Sequence, residues 1–342
     1  MSPERIVVLA PNWLGDAVMA LPALADVRRH YPSAQLVVAA RGSVAPLFTM
    51  VAGVDEVLTL PGRGGLRAVT SWQQDAATLS AGRFDAALLF PNSFVTALTA
   101  SKAGITERWG FGTDWRGRLL TRAVSKPPAS LHQGAYYQAL TTALGMAPGP
   151  LHARVWPNVD RARDLLREIG LDVDEPFLVF APGAAYGRAK QWLPERFAEL
   201  AHLLIQQRGW TVVMVGSEAD RAVCKEIDSR LPTPDSRLNR LIDFSGKSDL
   251  ATLAGVLAVA RAVVSNDSGA MHLAGAVGTH VVALFGATNE LRTSPLAAGP
   301  DAAAPTILTH QVFCRPCMLR ECPIDHRCMR GITAERAFAS LS

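Results

Sequence analysis

Ala262-Val-Val-Ser-Asn-Asp-Ser-Gly-Ala-Met-His272 opens the stretch on which the fold turns. It runs on through Leu273-Ala-Gly-Ala-Val-Gly278 and closes as Thr279-His-Val-Val-Ala-Leu-Phe-Gly286. The apolar run from Arg261 to Ser265 reads as a buried parallel strand, because it is continuous rather than alternating. It breaks into the polar turn Asn266-Asp267-Ser268-Gly269. A short small-residue helix follows, and a second apolar run from Val281 to Phe285 completes a βαβ unit. In open α/β sheets ligands gather past the carboxyl ends of the strands, where this turn falls. Asp267 and Ser268 either cap the helix or leave its first N–H groups to an anion.

Outward from this unit the same grammar repeats. In the C-terminal half, strands are expected at Phe177 to Phe180 and Thr211 to Val215, with helices from Arg161 to Ile169, Pro194 to Gln206 and Leu250 to Ala260. The first of these strands ends in Pro182-Gly-Ala-Ala-Tyr-Gly-Arg-Ala-Lys-Gln-Trp192. Backbone N–H groups approach a diphosphate closely at glycines such as Gly183, and Arg188 and Lys190 bring positive charge. The P-loop spacing of glycine, lysine and serine is absent. Glu218 stands at the next strand end, either as a ribose ligand or as a cap. Strand ends near Pro182, Gly216, Ser245 and Asn266 together argue for a nucleotide on this half. Asp172-Val-Asp174 has the look of a metal-holding D-x-D string, but it precedes a strand and is expected to be a solvated loop.

In the N-terminal half, strands are expected at Arg5 to Ala10, Gln35 to Ala40, Glu56 to Leu60 and Phe84 to Phe90, with helices up to His30 and from Gly42 to Val51. Strand and helix alternate, so the class is α/β with mainly parallel, doubly wound sheets. Two domains follow, 1–155 and 156–342, with a Cys-rich tail at 313–330. Asp16 lies in the turn after the first strand. It is either a first-turn helix acid or a general base at the mouth of the sheet. The Gly/Arg loop from Gly62 to Arg67 is either an anion site or a surface turn.

The 342 residues carry a net charge of +4. Residues 1–155 hold 14 Lys/Arg against 9 Asp/Glu, with Lys102, Arg108, Arg116, Arg118, Arg122 and Lys126 concentrated together. That points to an anionic partner or to a solvated face. Nucleic acid is not expected, since no nucleic-acid motif accompanies the charge. Met1-Ser-Pro-Glu-Arg5 has no signal-peptide pattern and no apolar run reaches the length of a spanning helix, so the expectation is a cytoplasmic protein.

Four of five cysteines cluster as Cys314-x2-Cys317-x4-Cys322-x5-Cys328. In a reducing compartment they are either free thiols in a compact tail or a closed, structural zinc site, with His310 and His326 as spare ligands. Cys224 is expected to be a packing residue.

Taken together, these motifs resemble the ADP-heptose:lipopolysaccharide heptosyltransferases, glycosyltransferase family 9. The resemblance spans nearly the whole chain. It is carried by Asn12-Trp-Leu-Gly-Asp-Ala-Val-Met-Ala-Leu-Pro-Ala-Leu24, the Pro182–Trp192 segment, Ser265-Asn-Asp-Ser-Gly-Ala-Met-His-Leu-Ala274 and Phe285-Gly-Ala-Thr288. The Cys314–Cys328 tail and the Pro11–Asp16 opening point to the branch that adds heptose to the first heptose of the Kdo2-lipid A inner core. A member using another acceptor, such as Kdo itself, is the nearest alternative; a non-catalytic nucleotide-sugar-binding protein is another.

The resemblance implies a GT-B fold, two Rossmann-like domains facing a cleft, with acceptor on the first and ADP-heptose on the second. Asp16 would be the base and Lys190 would stabilise the departing diphosphate. Gly183, Arg188, Glu218, Asp267, Ser268, Gly269, Ala270 and His272 would complete the donor site. No cofactor is implied for the chemistry. Transient contact with the cytoplasmic face of the inner membrane is expected, because the acceptor is a lipid.

Overall fold

The structure is a computed structural model that describes residues 3–62, 68–231 and 240–341. The Gly/Arg loop singled out above falls, beyond Gly62, outside the described residues. The chain divides into two compact units, Met1–Trp156 and Pro157–Ser342.

The first unit is built on six parallel strands: β1 (Arg5–Leu9), β2 (Gln35–Arg41), β3 (Glu56–Leu60), β4 (Ala86–Leu89), β5 (Glu107–Phe111) and β6 (Arg122–Val124), in the order β3-β2-β1-β4-β5-β6. The second has β7 (Phe177–Ala181), β8 (Thr211–Met214), β9 (Leu241–Asp243), β10 (Ala262–Asn266), β11 (His280–Phe285) and β12 (Thr306–Thr309), in the order β12-β11-β10-β7-β8-β9. Counted from the first strand of each unit, the two orders are the same Rossmann-like series. In each, the order reverses between the first and fourth strands, so the topological switch points lie at β1/β4 and β7/β10.

Central strands are apolar on both faces because helices cover both. Val7, Val37 and Ala87 are fully buried in one core, and Leu178, Val264 and Val282 in the other. β10 pairs with β7 and β11 in register, with Ser265 beside Ala181 and Ala283. The quoted stretch is thus a βαβ unit at the centre of its sheet, its helix spanning Gly269–Ala276.

Boundaries differ where local chemistry intervenes. The expected helix running to His30 is two, Leu14–Met19 and Leu21–His30. The break sits at Ala20, before Pro22, which has no N–H for the turn before it. The helix expected over Gly42 to Val51 shrinks to Ala45–Phe48, begun by Pro46 at its first turn. β6 and β12 are short edge strands with polar ends and leave little apolar signal.

Candidate functional site

The second unit collects its polar residues at the β7/β10 switch point. Asn266, the last residue of β10 and fully buried, accepts from the Trp192 N–H at 2.8 Å and donates to the Pro182 carbonyl at 2.6 Å. It thereby pins both ends of the loop that follows β7. On that loop Ala189 is buried, and its two neighbours diverge. Lys190 turns inward, placing Nζ 2.7 Å from Asp267 Oδ2, with the side chains only 14% and 6% exposed. Arg188 stays exposed and lines a separate cavity of about 610 Å³ with Trp192, Asp220, Glu226, Cys322 and His326.

Asp267 Oδ2 also accepts from Thr288 Oγ1 at 2.7 Å. The carboxylate is therefore no helix cap. Ser268 occupies the N-cap position, but its hydroxyl lies 3.1 Å from Ser265 Oγ rather than capping the first turn. The N–H groups that open a helix have no acceptor within it, so Gly269 and Ala270 offer the donors an anion needs. His272 is 3% exposed in the middle of that helix.

Gly183, on the loop after β7, faces the neighbouring strand end, after β8, to which Glu218 belongs. A side chain at position 183 would meet the Asp220 carboxylate at 2.3 Å, so glycine is required by close packing there. Asp220 Oδ2 is engaged by Ser217 N and Oγ at 2.8 and 2.7 Å, a capping box. Glu218 is 73% exposed and pairs with Arg221 at 3.0 Å. Asp172 and Asp174 form an exposed turn, with Asp174 N donating to Asp172 Oδ1 at 3.0 Å.

The first unit places Asp16 at its own switch point, in the first turn of the helix Leu14–Met19 after β1. Trp13, not Asp16, holds the N-cap position. Tyr137, on the helix Gln133–Ala143, donates its phenol proton to the Asp16 carboxylate and accepts from Gln133. That phenol is 5% exposed and packed on Phe90, their ring centroids 5.2 Å apart. Burial pushes its pKa well up, and the Asp16 charge adds to the effect, so it stays a proton donor throughout the neutral range. Beside β1 to β3, a cavity of about 520 Å³ is lined by Asn12, Arg41, Ser43, Thr59 and Gly62.

Two basic residues correct the expected charged face. Arg116 is fully buried. Its guanidinium donates to the carbonyls of Pro91, Ser93 and Phe111 and to Asn92 Oδ1, welding the loops after β4 and β5. Arg108 likewise spends its N–H groups on the carbonyls of Ile105, Thr106 and Leu119. Lys102, Arg118, Arg122 and Lys126 stay exposed. Trp13 and Trp115 are also exposed, at 65% and 96%, on loops at the same strand ends.

In the tail, Cys328 is buried and Cys314, Cys317 and Cys322 are half-buried, all as free thiols. Burial raises the Cys328 pKa, with smaller contributions from Cys314, Cys322 and Cys317. Among the described residues no three His, Cys, Asp or Glu side chains are grouped to hold a metal. His326 instead lies 3.0 Å from the Ala189 carbonyl. Cys224 is a core residue whose thiol is pushed up to about 12 by burial.

Two residues of these sites have no role in the sequence pattern, Thr288 and Tyr137. Phe285-Gly-Ala-Thr288, a strand end beside β10, was the signal for the first. Nothing local marks the second, which reaches Asp16 only through tertiary packing.

Comparison with known proteins bears on this geometry. Residues 74–327 match the model of glycosyltransferase family 9 (heptosyltransferase). The lipopolysaccharide heptosyltransferase 2 of Escherichia coli is 31% identical over 85% of each chain, and that of Salmonella typhimurium 30% over the same share. The solved structure of the Escherichia coli ADP-heptose LPS heptosyltransferase II superposes with a TM-score of 0.83 at 27% identity, covering 98% of this chain and 97% of that one.

Proposed function

The chain belongs to glycosyltransferase family 9, and from that premise we propose that it transfers L-glycero-D-manno-heptose from ADP-heptose to the first heptose of the Kdo2-lipid A inner core, with inversion, in lipopolysaccharide core biosynthesis. The chain is a glycosyltransferase of GT-B type. The observation that carries the donor side is the Lys190–Asp267 pair at the β7/β10 switch point, beside the open amides of Gly269 and Ala270. A cation and helix N–H groups together suit a diphosphate.

In this reading 1–155 binds the acceptor and 156–342 binds ADP-heptose. Asp16 takes the proton of an acceptor hydroxyl as that oxygen attacks the anomeric carbon. The bond to ADP breaks on the opposite face, and its electron pair leaves with the diphosphate. Lys190 and the helix amides stabilise that growing charge. Arg188, Gly183, Glu218, Ser268 and His272 complete the donor site around them. Every step is carried by these side chains and needs no cofactor. The tail thiols stand outside the chemistry, and zinc bound there would be structural.

Among the described residues no helix is long and apolar enough to cross a membrane. The lipid acceptor brings the enzyme to the cytoplasmic face of the inner membrane, and the exposed Trp13, Trp115, Arg118 and Lys126 suit a polar, anionic interface.

The test is ADP release from ADP-heptose with two acceptors, one ending in Kdo and one already bearing a heptose. Turnover is expected on the second alone, and Asp16→Asn should lower it by roughly 10²- to 10⁴-fold. Turnover on the Kdo acceptor would overturn the acceptor assignment. Binding of ADP-heptose without turnover on either would overturn the enzymatic one.

A further inference from the structure

The Cys-rich tail is the motif that the catalytic reading leaves without work, and its contacts converge on two loops. On the loop after β11, three successive carbonyls are taken by tail donors. Arg315 Nε donates to Gly286 at 3.0 Å, Met318 N to Ala287 at 2.9 Å and Arg315 Nη2 to Thr288 at 3.5 Å. The Arg315 side chain is only 4% exposed and is paired with Glu290 at 2.6 Å. A side chain at Gly286 would lie 2.8 Å from Met329 and 3.2 Å from Cys328 Sγ, so the turn is encased.

On the loop after β7, the tail holds both polar groups of the residue before Lys190. Ala189 N donates to the Arg320 carbonyl at 2.9 Å, and His326 Nε2 meets the Ala189 carbonyl at 3.0 Å. Tyr186 OH donates to Met318 O at 3.0 Å. Gly187 is pressed against Arg320 so closely that a side chain would come within 2.4 Å of its carbonyl oxygen.

The two gripped loops deliver Lys190 and Thr288 to one oxygen, Asp267 Oδ2, each at 2.7 Å. β7, β10 and β11 are neighbours in the sheet, so the three residues stand at three adjacent strand ends. We infer that Thr288 is a positioning residue for donor binding, held in place by the tail through Arg315, and that it acts by fixing Asp267 and hence Lys190. The buried hydroxyl occupies part of the carboxylate's acceptor capacity and sets its plane. Lys190 is left in a defined place with N–H groups to spare for a diphosphate. Without the hydroxyl, the carboxylate turns to its remaining cation, and the pair closes on itself.

This rests on the donor-site reading of Lys190. The experiment measures ADP binding by calorimetry together with donor and acceptor KM and kcat, for Thr288→Val, Thr288→Ser, Arg315→Met and Lys190→Ala. Valine keeps the shape of threonine and removes only the hydroxyl. Thr288→Val should weaken ADP binding and raise donor KM by roughly tenfold, as expected for losing a hydrogen bond to a charged group. Acceptor KM should not move, and Thr288→Ser should restore both donor values. Arg315→Met should shift the same two constants in the same direction by a smaller factor.

A merely structural role would lower the active fraction, and so kcat, with KM and ADP affinity unchanged. Wild-type ADP affinity in Thr288→Val, or failure of Thr288→Ser to restore it, overturns the inference while Lys190→Ala still loses ADP. Wild-type ADP affinity in Lys190→Ala overturns the donor-site reading itself.

Discussion

The two units share one strand order yet make their strand ends in opposite ways. In the first, the β1/β4 switch point carries a single carboxylate with a neutral donor, Tyr137 to Asp16, while the buried Arg116 joins the loops after β4 and β5 through their carbonyls. In the second, the β7/β10 switch point is built on a charge pair, Lys190 with Asp267, and a separate tail grips its loops from outside the sheet. The contrast suits the two tasks. A base must stay ionised and reachable by a neutral hydroxyl, whereas a diphosphate needs a cation held ready without a competing pocket of water. One topology serves both because the chemistry lives on loops, and the loops differ in what buttresses them.

Removing the charge from the second site should break the contrast most sharply. Lys190→Ala is expected to cost roughly 100- to 1,000-fold in kcat/KM for ADP-heptose. It also leaves Asp267 as a buried carboxylate held by the Thr288 hydroxyl without its cation. Losing one member of a buried pair destabilises by about 3–5 kcal/mol, so the melting temperature should fall as well. Kinetics and thermal unfolding of the same preparation check this. A rate within threefold of wild type would mean that the pair is structural and the diphosphate lies elsewhere.

The first site should respond by a smaller factor and in a different variable. Tyr137→Phe removes a proton donor to the Asp16 carboxylate, and such a donor favours the ionised form. The acid limb of kcat/KM, which reports the free enzyme's base, should therefore move to higher pH. At a pH below the new limb the loss should be roughly tenfold, shrinking as pH rises. A uniform loss at every pH would make Tyr137 a packing residue only.

Much of this frame is legible in the sequence, and the rest is hidden for physical reasons. β10 and β11 announce themselves because buried central strands must be continuously apolar, and Asn266 to Gly269 because a turn must follow. Lys190 is visible beside Arg188 as positive charge on a glycine-rich loop, and only the fold shows which of the two turns inward. Arg116 is misread as surface charge because composition does not reveal that two loops converge to bring their carbonyls around one guanidinium. Tyr137 is silent because its partner lies on another helix, more than a hundred residues away. The cysteine spacing speaks of metal, while the described contacts of the tail are mostly hydrogen bonds to backbone carbonyls.

The smallest effect sharpens the comparison inside the second unit itself. Asp267 and Glu218 are both carboxylates just past a strand end, and the sequence offers both as donor ligands. Burial separates them. Asp267 is 6% exposed and accepts from a cation and a hydroxyl, whereas Glu218 is 73% exposed, pairs with Arg221 on its own turn and lies against Gly246. A charge so open to water is screened and its pair contributes little. Glu218→Gln, which keeps an acceptor oxygen for a ribose hydroxyl, should raise donor KM by only about two- to threefold and leave kcat unchanged. Asp267→Asn should cost far more, since it unbalances a buried lysine. If Glu218→Gln instead cost tenfold or more, Glu218 would have to be desolvated by the bound nucleotide, and the exposed rim would belong to the donor site as fully as the buried pair does.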